Sequence, residues 1–178
     1  MTEINESGVV HNEKEYPVDV LIYATGFQWM ATSTFNMITG KNGKTLQQKW
    51  ANEGTKTFLG LHSNGFPNLF IISGPQGGGG QFNFTRIIES HSDYVVWILK
   101  TLKEKGATQV DVKTSAENDY AEHCKEADIN TRPLRDCISY YNGHGEGEPG
   151  SLAYYGGAQK WHEQREMAQR TLKPYIFD

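Results

Sequence analysis

The sequence predicts an α/β fold, and three observations predict it. Strand-like apolar runs alternate with helix-period segments in the order β-β-β-α-β-α-β-α along the 178 residues. One segment, 84–105, places Ile87, Ile88, His91, Tyr94, Val95, Ile98, Leu99 and Leu102 at three- and four-residue steps, the stripe of an amphipathic helix. The composition, 37% hydrophobic and 12% aromatic, is that of a chain able to bury a core rather than a disordered one.

Each element has its own reason. "GVV" at 8–10 and "EYPVDVLIYAT" at 15–25 read as two strands joined by a polar turn. Val18 to Ala24 is apolar on both faces apart from Asp19, as a buried strand would be. Between Thr34 and Leu61 the pattern gives a short strand, a "GKNG" turn, a brief helix carrying Leu46 and Trp50, and a strand "TFLGL". "GFPN" at 65–68 is turn chemistry, and "LFIISG" after it reads as another buried strand. The helix at 84–105 closes at Gly106. "QVDV" at 109–112 alternates as a strand does, and a helix capped by Ser115 follows. The stretch 139–151 is rich in glycine and reads as an exposed, mobile loop; "LAYYGG" is then a strand and 158–172 a last helix. The sheet so described is unfinished.

Composition also excludes classes. A net charge of −4 offers no basic footprint for nucleic acid or an anionic membrane. No apolar run reaches the length of a membrane span, and Met1 is followed by polar residues rather than a signal peptide. Cys124 and Cys137 are too few for a disulfide framework, so a reducing, cytoplasmic setting is expected. The six histidines are scattered without ligand spacing, so no metal site is expected. Ser73 and Ser151 lack a nucleophile-elbow context, and no catalytic acid, base or nucleophile stands out.

Two glycine patterns raise the question of a cofactor. Gly145 to Gly150 satisfies G-x-G-x-x-G, but no strand precedes it and Glu146 and Glu148 would repel a pyrophosphate. "LFIISGPQGGGGQFNFTRIIES", Leu69 to Ser90, runs from an apolar segment through glycines into a helix, yet it lacks the lysine of a phosphate loop and the third glycine of a dinucleotide fingerprint. The plain reading is a flexible surface connection. The functional one is that the glycines admit a planar ligand and that the helix start, capped by Asn83, offers free N–H groups to negative charge. The residues alone weigh the two equally.

Taken together the segments resemble class B flavin monooxygenases, and among them the Baeyer–Villiger monooxygenases. "VDVLIYATGF" is similar to the A-T-G motif of the class. "LQQKWANEGTKTFLGLHSNGFPNLFIISGP" resembles the Baeyer–Villiger family through Trp50, Gly54, Thr57, Leu59, Gly60, Gly65, Phe66, Pro67, Asn68, Phe70, Gly74 and Pro75. "NFTRIIESHSDYVVWI" resembles the helix that follows, and "YYGGAQKW" the Y-x-G-G-x-x-x-aromatic segment near the end. An N-hydroxylating flavin monooxygenase shares the A-T-G motif but fits the middle motif less well.

The resemblance implies the C-terminal part of a flavoprotein with two dinucleotide-binding domains, without the N-terminal FAD fingerprint and most of the NADP domain. Residues 1–30 would be strands and the A-T-G hinge leading from the NADP domain back to the FAD domain. Residues 31–178 would be the C-terminal part of the FAD domain, including the mobile loop 139–151. Thr25, Gly26, Asn83, Phe84 and Tyr140 would contact cofactor, with Tyr140 standing where the family's loop carries a tryptophan. The whole enzyme would use FAD, NADPH and O2 to convert a ketone to an ester or lactone. The resemblance also implies upstream glycine fingerprints for FAD and NADP and an upstream arginine that stabilises the oxygenated flavin, and without them this chain would be inactive alone. A non-catalytic remnant, or a module that pairs with a separate N-terminal half, is the alternative.

Overall fold

The structure, a computed structural model, describes residues 3–26, 33–78, 83–128 and 152–178. The chain opens with an antiparallel meander of β1 (Glu3–Ile4), β2 (Gly8–His11) and β3 (Lys14–Pro17), in which Val9 faces Tyr16 and Val10 faces Glu15. Asn12 and Glu13, both at positive φ, make the two-residue turn whose twist suits a hairpin. The expected strand does not continue to Ala24. Residues 18–26 form no strand, and Val20, Ile22 and Tyr23 are 74%, 81% and 67% exposed. Burying both faces of such a segment needs a strand beside it and a layer on each side; the described residues place none there.

Helices α1 (Ser33–Met37) and α2 (Leu46–Glu53) come next. The first replaces the short strand expected near Thr34. The second is the brief helix expected around Leu46 and Trp50, and it starts on a reciprocal capping box, with Gln48 N donating to Thr45 Oγ1 and Thr45 N to Gln48 Oε1. Leu46 and Trp50 face inward and, with Phe66, make a small core of their own.

"TFLGL", "LFIISG" and "LAYYGG" are not strands. They are irregular chain, the first packed in the core, and their backbone groups are satisfied segment to segment rather than in a ladder. Phe58 and His62 form an isolated bridge, Ile71 N donates to Leu61 O, Gly74 N to Gly60 O, and Asn68 N to Val110 O. Leu59, Asn68, Ser73 and Gln76 all have positive φ, which no strand sustains. Apolar continuity predicted burial for these segments; it carries no information on backbone direction.

The expected long helix is α3 (Phe84–Glu104), with Asn83 as its cap and Gly106 at φ 64 past its end. It buries Ile87, His91, Tyr94 and Ile98 along one side. Full burial of one such side chain as Ile98 is worth roughly 2 kcal/mol. Strand β4 (Val110–Val112) follows, and α4 (Thr114–Asp128) begins one residue before the expected cap, so Ser115 lies inside the first turn. Helix α5 (Ala158–Thr171) ends at Leu172 in the left-handed conformation. A last strand, β5 (Tyr175–Phe177), pairs antiparallel with β4, Val112 opposite Tyr175; the sequence pattern did not reveal it. The main core joins Phe58, Leu59, Leu61, Tyr94, Ile98, Val110, Tyr120, Tyr154, Trp161 and Tyr175. No helix of the described residues is long and apolar enough to cross a membrane.

Candidate functional site

The glycine loop and the start of α3 are built as one unit. Asn83 is extended (φ −69, ψ 120), and its Oδ1 accepts from Thr85 N at 3.0 Å, Thr85 Oγ1 at 2.6 Å and Arg86 N at 3.4 Å. Among the described residues the Phe84 N–H has no acceptor. The Phe84 ring is 63% exposed. Among the described residues this helix end therefore presents one donor without an acceptor and one apolar ring, in the field of a 21-residue helix.

Up to Gly78 the loop is no loose surface connection. Gln76 and Gly77 are buried. Gln76 Oε1 accepts from Thr57 N at 3.0 Å, Gln76 N donates to Leu152 O, Gln76 O accepts from Tyr120 Oη at 2.9 Å, and Gly78 O accepts from Tyr154 N. Thr57 Oγ1 reaches Pro75 O at 2.7 Å. Three elements thus converge on a stretch that composition alone could not distinguish from a mobile linker.

Glycine is required here by close approach. Gly60, at φ 73, packs on Gly77 so tightly that a Cβ would come within 1.9 Å of the Gly77 Cα. A Cβ on Gly77 would lie 2.7 Å from His91 Cε1, and one on Gly78 2.4 Å from Ile87 Cδ1. The third glycine missing from the dinucleotide pattern is thus no obstacle: Gly77 and Gly78 let the loop approach the early turns of α3.

Around this unit lie buried polar groups that sequence reading did not single out. His91 and His62 are both neutral: burial lowers His62 to about 3, with His91 adding repulsion. Burial lowers His91 to about 4, against the Gly77 backbone, which favours the charged form. His62 is enclosed by Phe70, Tyr175 and Tyr94, edge to ring. Farther off, Lys49 Nζ contacts Glu117 Oε2 at 2.7 Å and Oε1 at 2.8 Å, and donates to Ser63 Oγ and Asn64 O, both at 2.9 Å. Their 68-residue separation leaves no sequence signal.

The structure describes four of the five expected cofactor residues. Asn83 and Phe84 share the α3 start. Thr25 and Gly26 sit on the exposed stretch after β3, Gly26 at φ 75 with nothing near a virtual Cβ. Tyr140, the loop 139–151, Cys137 and the Gly145–Gly150 pattern lie outside the described residues, as do residues 79–82 of the glycine cluster. No three metal-ligating side chains converge among the described residues.

A loop of glycines seated on a long capped helix, beside irregular buried chain, fits a fragment of a flavoprotein fold. The chain aligns over 99% of its length with 34% of the chain of OTEMO in complex with FAD and NADP, at 26% identity and a TM-score of 0.75. It covers 33% of a steroid monooxygenase bound to NADP, at 28% identity and a TM-score of 0.73. Among curated proteins it is 35% identical over 183 residues to a Baeyer–Villiger monooxygenase of Penicillium patulum, covering 96% of this chain and 30% of the relative. It is 32% identical to a Baeyer–Villiger monooxygenase of Streptomyces coelicolor, covering 90% of this chain and 27% of the relative. No protein-family model matches. The chain resembles one portion of the Baeyer–Villiger monooxygenases, and it spans about a third of the length of the relatives it matches.

Proposed function

We propose that this chain is a portion of a Baeyer–Villiger monooxygenase that inserts one atom of O2 into a ketone to give an ester or lactone, the other leaving as water. The observation that carries the reading is the alignment of nearly the whole chain with OTEMO in complex with FAD and NADP. FAD, reduced by NADPH, would supply the oxygen-activating chemistry. This chain's own residues would bind and orient. Asn83 keeps the first turn of α3 in place, so that the Phe84 N–H would be available to negative charge on the flavin ring. The exposed Phe84 ring would pack against the same cofactor and exclude water. Thr25 and Gly26 would form the hinge between a cofactor-reducing and a flavin-holding domain, and Tyr140 would contact NADP from the loop 139–151. On this reading 1–30 is the hinge segment and 31–178 the C-terminal part of the flavin domain.

The residues present fit the ring of a flavin and not its adenine or pyrophosphate, because no strand-turn-helix glycine fingerprint occurs among them. We infer that the chain alone is inactive and needs an N-terminal half, in the same or another polypeptide. The exposed Val20, Ile22 and Tyr23 support that reading, since such a run suits pairing with a further strand. A chimera tests it, with this chain replacing the corresponding third of the Streptomyces coelicolor relative. Expected are bound flavin and NADPH-dependent lactone formation from a cyclic ketone, with neither from the 178-residue chain alone. A folded chimera that holds no flavin would favour the second reading, a non-catalytic module.

A further inference from the structure

His91 lies in the middle of α3, yet its hydrogen bond goes to another segment. The side chain is fully buried. Nδ1 accepts from Ser73 N at 3.0 Å, and Ser73 is held at φ 55, a conformation that L residues adopt reluctantly. Because Nδ1 accepts, the proton of the neutral ring is on Nε2. That nitrogen is buried beside Gly77 without a hydrogen bond of ordinary geometry. The ring also packs on Trp161 of α5, centroid to centroid 5.2 Å at 30°, and Trp161 Nε1 donates to Leu59 O at 3.3 Å. Its Cε1 edge meets Gly77, while Ile87, one turn earlier, meets Gly78. Consecutive glycines of the loop are therefore seated on consecutive turns of the helix that Asn83 begins. His91 is the one of these seats that also holds the loop by a hydrogen bond.

We propose that His91 is a positioning residue, a neutral clamp that fixes the Ser73–Gly78 backbone against α3 and so sets where the loop stands relative to the helix end at Asn83 and Phe84. What that placement serves rests on the flavin reading above; the clamp itself is a property of this chain. Eight residues separate His91 from Asn83, roughly 12 Å along the helix. The clamp therefore acts through the loop and never touches the proposed ligand.

The experiment compares the 178-residue chain with His91→Leu, which fills similar space and accepts nothing, and His91→Gln, whose carbonyl can still accept from Ser73. Amide hydrogen exchange is read residue by residue, without flavin. In the leucine variant the Ser73 and Gly77 amides should exchange about tenfold faster, with Ile98 and Thr101 within about twofold of the parent. Glutamine should restore most of the protection. Uniform acceleration across α3, or no change at Ser73, or failure of glutamine to rescue, would each overturn the clamp. Should the leucine variant not fold, the imidazole nitrogen spectrum of the parent decides: a proton on Nε2 supports the clamp, and one on Nδ1 overturns it. In the flavin-loaded chimera His91→Leu should weaken flavin retention about tenfold and His91→Gln far less. Equal retention by all three overturns the positioning role and leaves the flavin reading standing. A folded chimera that takes up no flavin sinks that reading instead, while the exchange data still judge the clamp.

Discussion

The Lys49–Glu117 pair offers the sharpest stability test of how this fold is tied together. It joins α2 to α4 across the turn at 63–64, with side chains 7% and 2% exposed. Replacing Lys49 by Met keeps the apolar stem and removes the ammonium. Glu117 Oε1 would then retain only Asn64 N, at 2.9 Å, and Ser63 Oγ, at 3.1 Å, for a buried negative charge. Ser63 Oγ and Asn64 O would each lose a donor at 2.9 Å. Breaking a buried pair by removing one partner costs about 3–5 kcal/mol, chiefly because the other charge stays behind. Against a total stability of about 5–15 kcal/mol this is a large fraction. With a urea m-value of about 2 kcal/mol/M, a loss of ~4 kcal/mol lowers the unfolding midpoint by about 2 M. Urea titration followed by tryptophan fluorescence reads it, with Lys49→Met/Glu117→Leu as the partner experiment. The double variant, which leaves no orphaned charge, should recover to within about 1–2 kcal/mol of the parent. A midpoint change below about 0.5 M for the single variant, or simple additivity in the double, refutes this account of the pair.

Further expectations concern the loop, the cap and the buried histidines. Gly60→Ala should cost about 3 kcal/mol, part from a side chain at φ 73 and part from a Cβ within 1.9 Å of Gly77. Gly43→Ala, at the same φ with open space around it, isolates the first part and should cost about 1 kcal/mol in the same denaturation assay. Asn83→Ala should cost about 1 kcal/mol and speed amide exchange at Thr85 and Arg86 while leaving the centre of α3 unchanged; equal exchange throughout would count against the cap. Because His62 and His91 hold folded pKa values of about 3 and about 4, below an unfolded value near 6.5, the unfolded chain binds more protons between those limits. Their contribution to stability is level above pH 6.5 and falls as the pH drops, by about 2 kcal/mol for each histidine between pH 7 and 5. Urea midpoints across that range should slope less steeply in His91→Gln, and an unchanged slope would mean that His91 is not the group titrating.

The elements that were legible in the sequence are those whose signal is local. Helix α3 announced itself by period, cap and closing glycine, α2 by Leu46 and Trp50, and the β2–β3 hairpin by a polar turn between apolar residues. The glycine run and the Asn83 cap were legible from the residues themselves, and the family resemblance added only the expectation that Asn83 and Phe84 face a cofactor. What misled was apolar continuity. "LFIISG" and "TFLGL" contain enough apolar residues for strands, but positive φ at Leu59 and Ser73 bends the chain into turns that bond to one another. "DVLIYA" has the same continuity and lies exposed, because a run of apolar residues states a need for cover without supplying it.

The sequence by itself determined the capped helices α2 and α3, the β2–β3 hairpin and the family resemblance, since these depend on residues within a few positions of one another or on a matched string. Only the tertiary structure decided that Gly60 meets Gly77, that His91 takes the Ser73 N–H, that Lys49 finds Glu117, and that β5 closes on β4. Those contacts join segments 17 to 68 residues apart. Their energy comes from excluding water between surfaces that no single stretch contains, so no single stretch could have shown them.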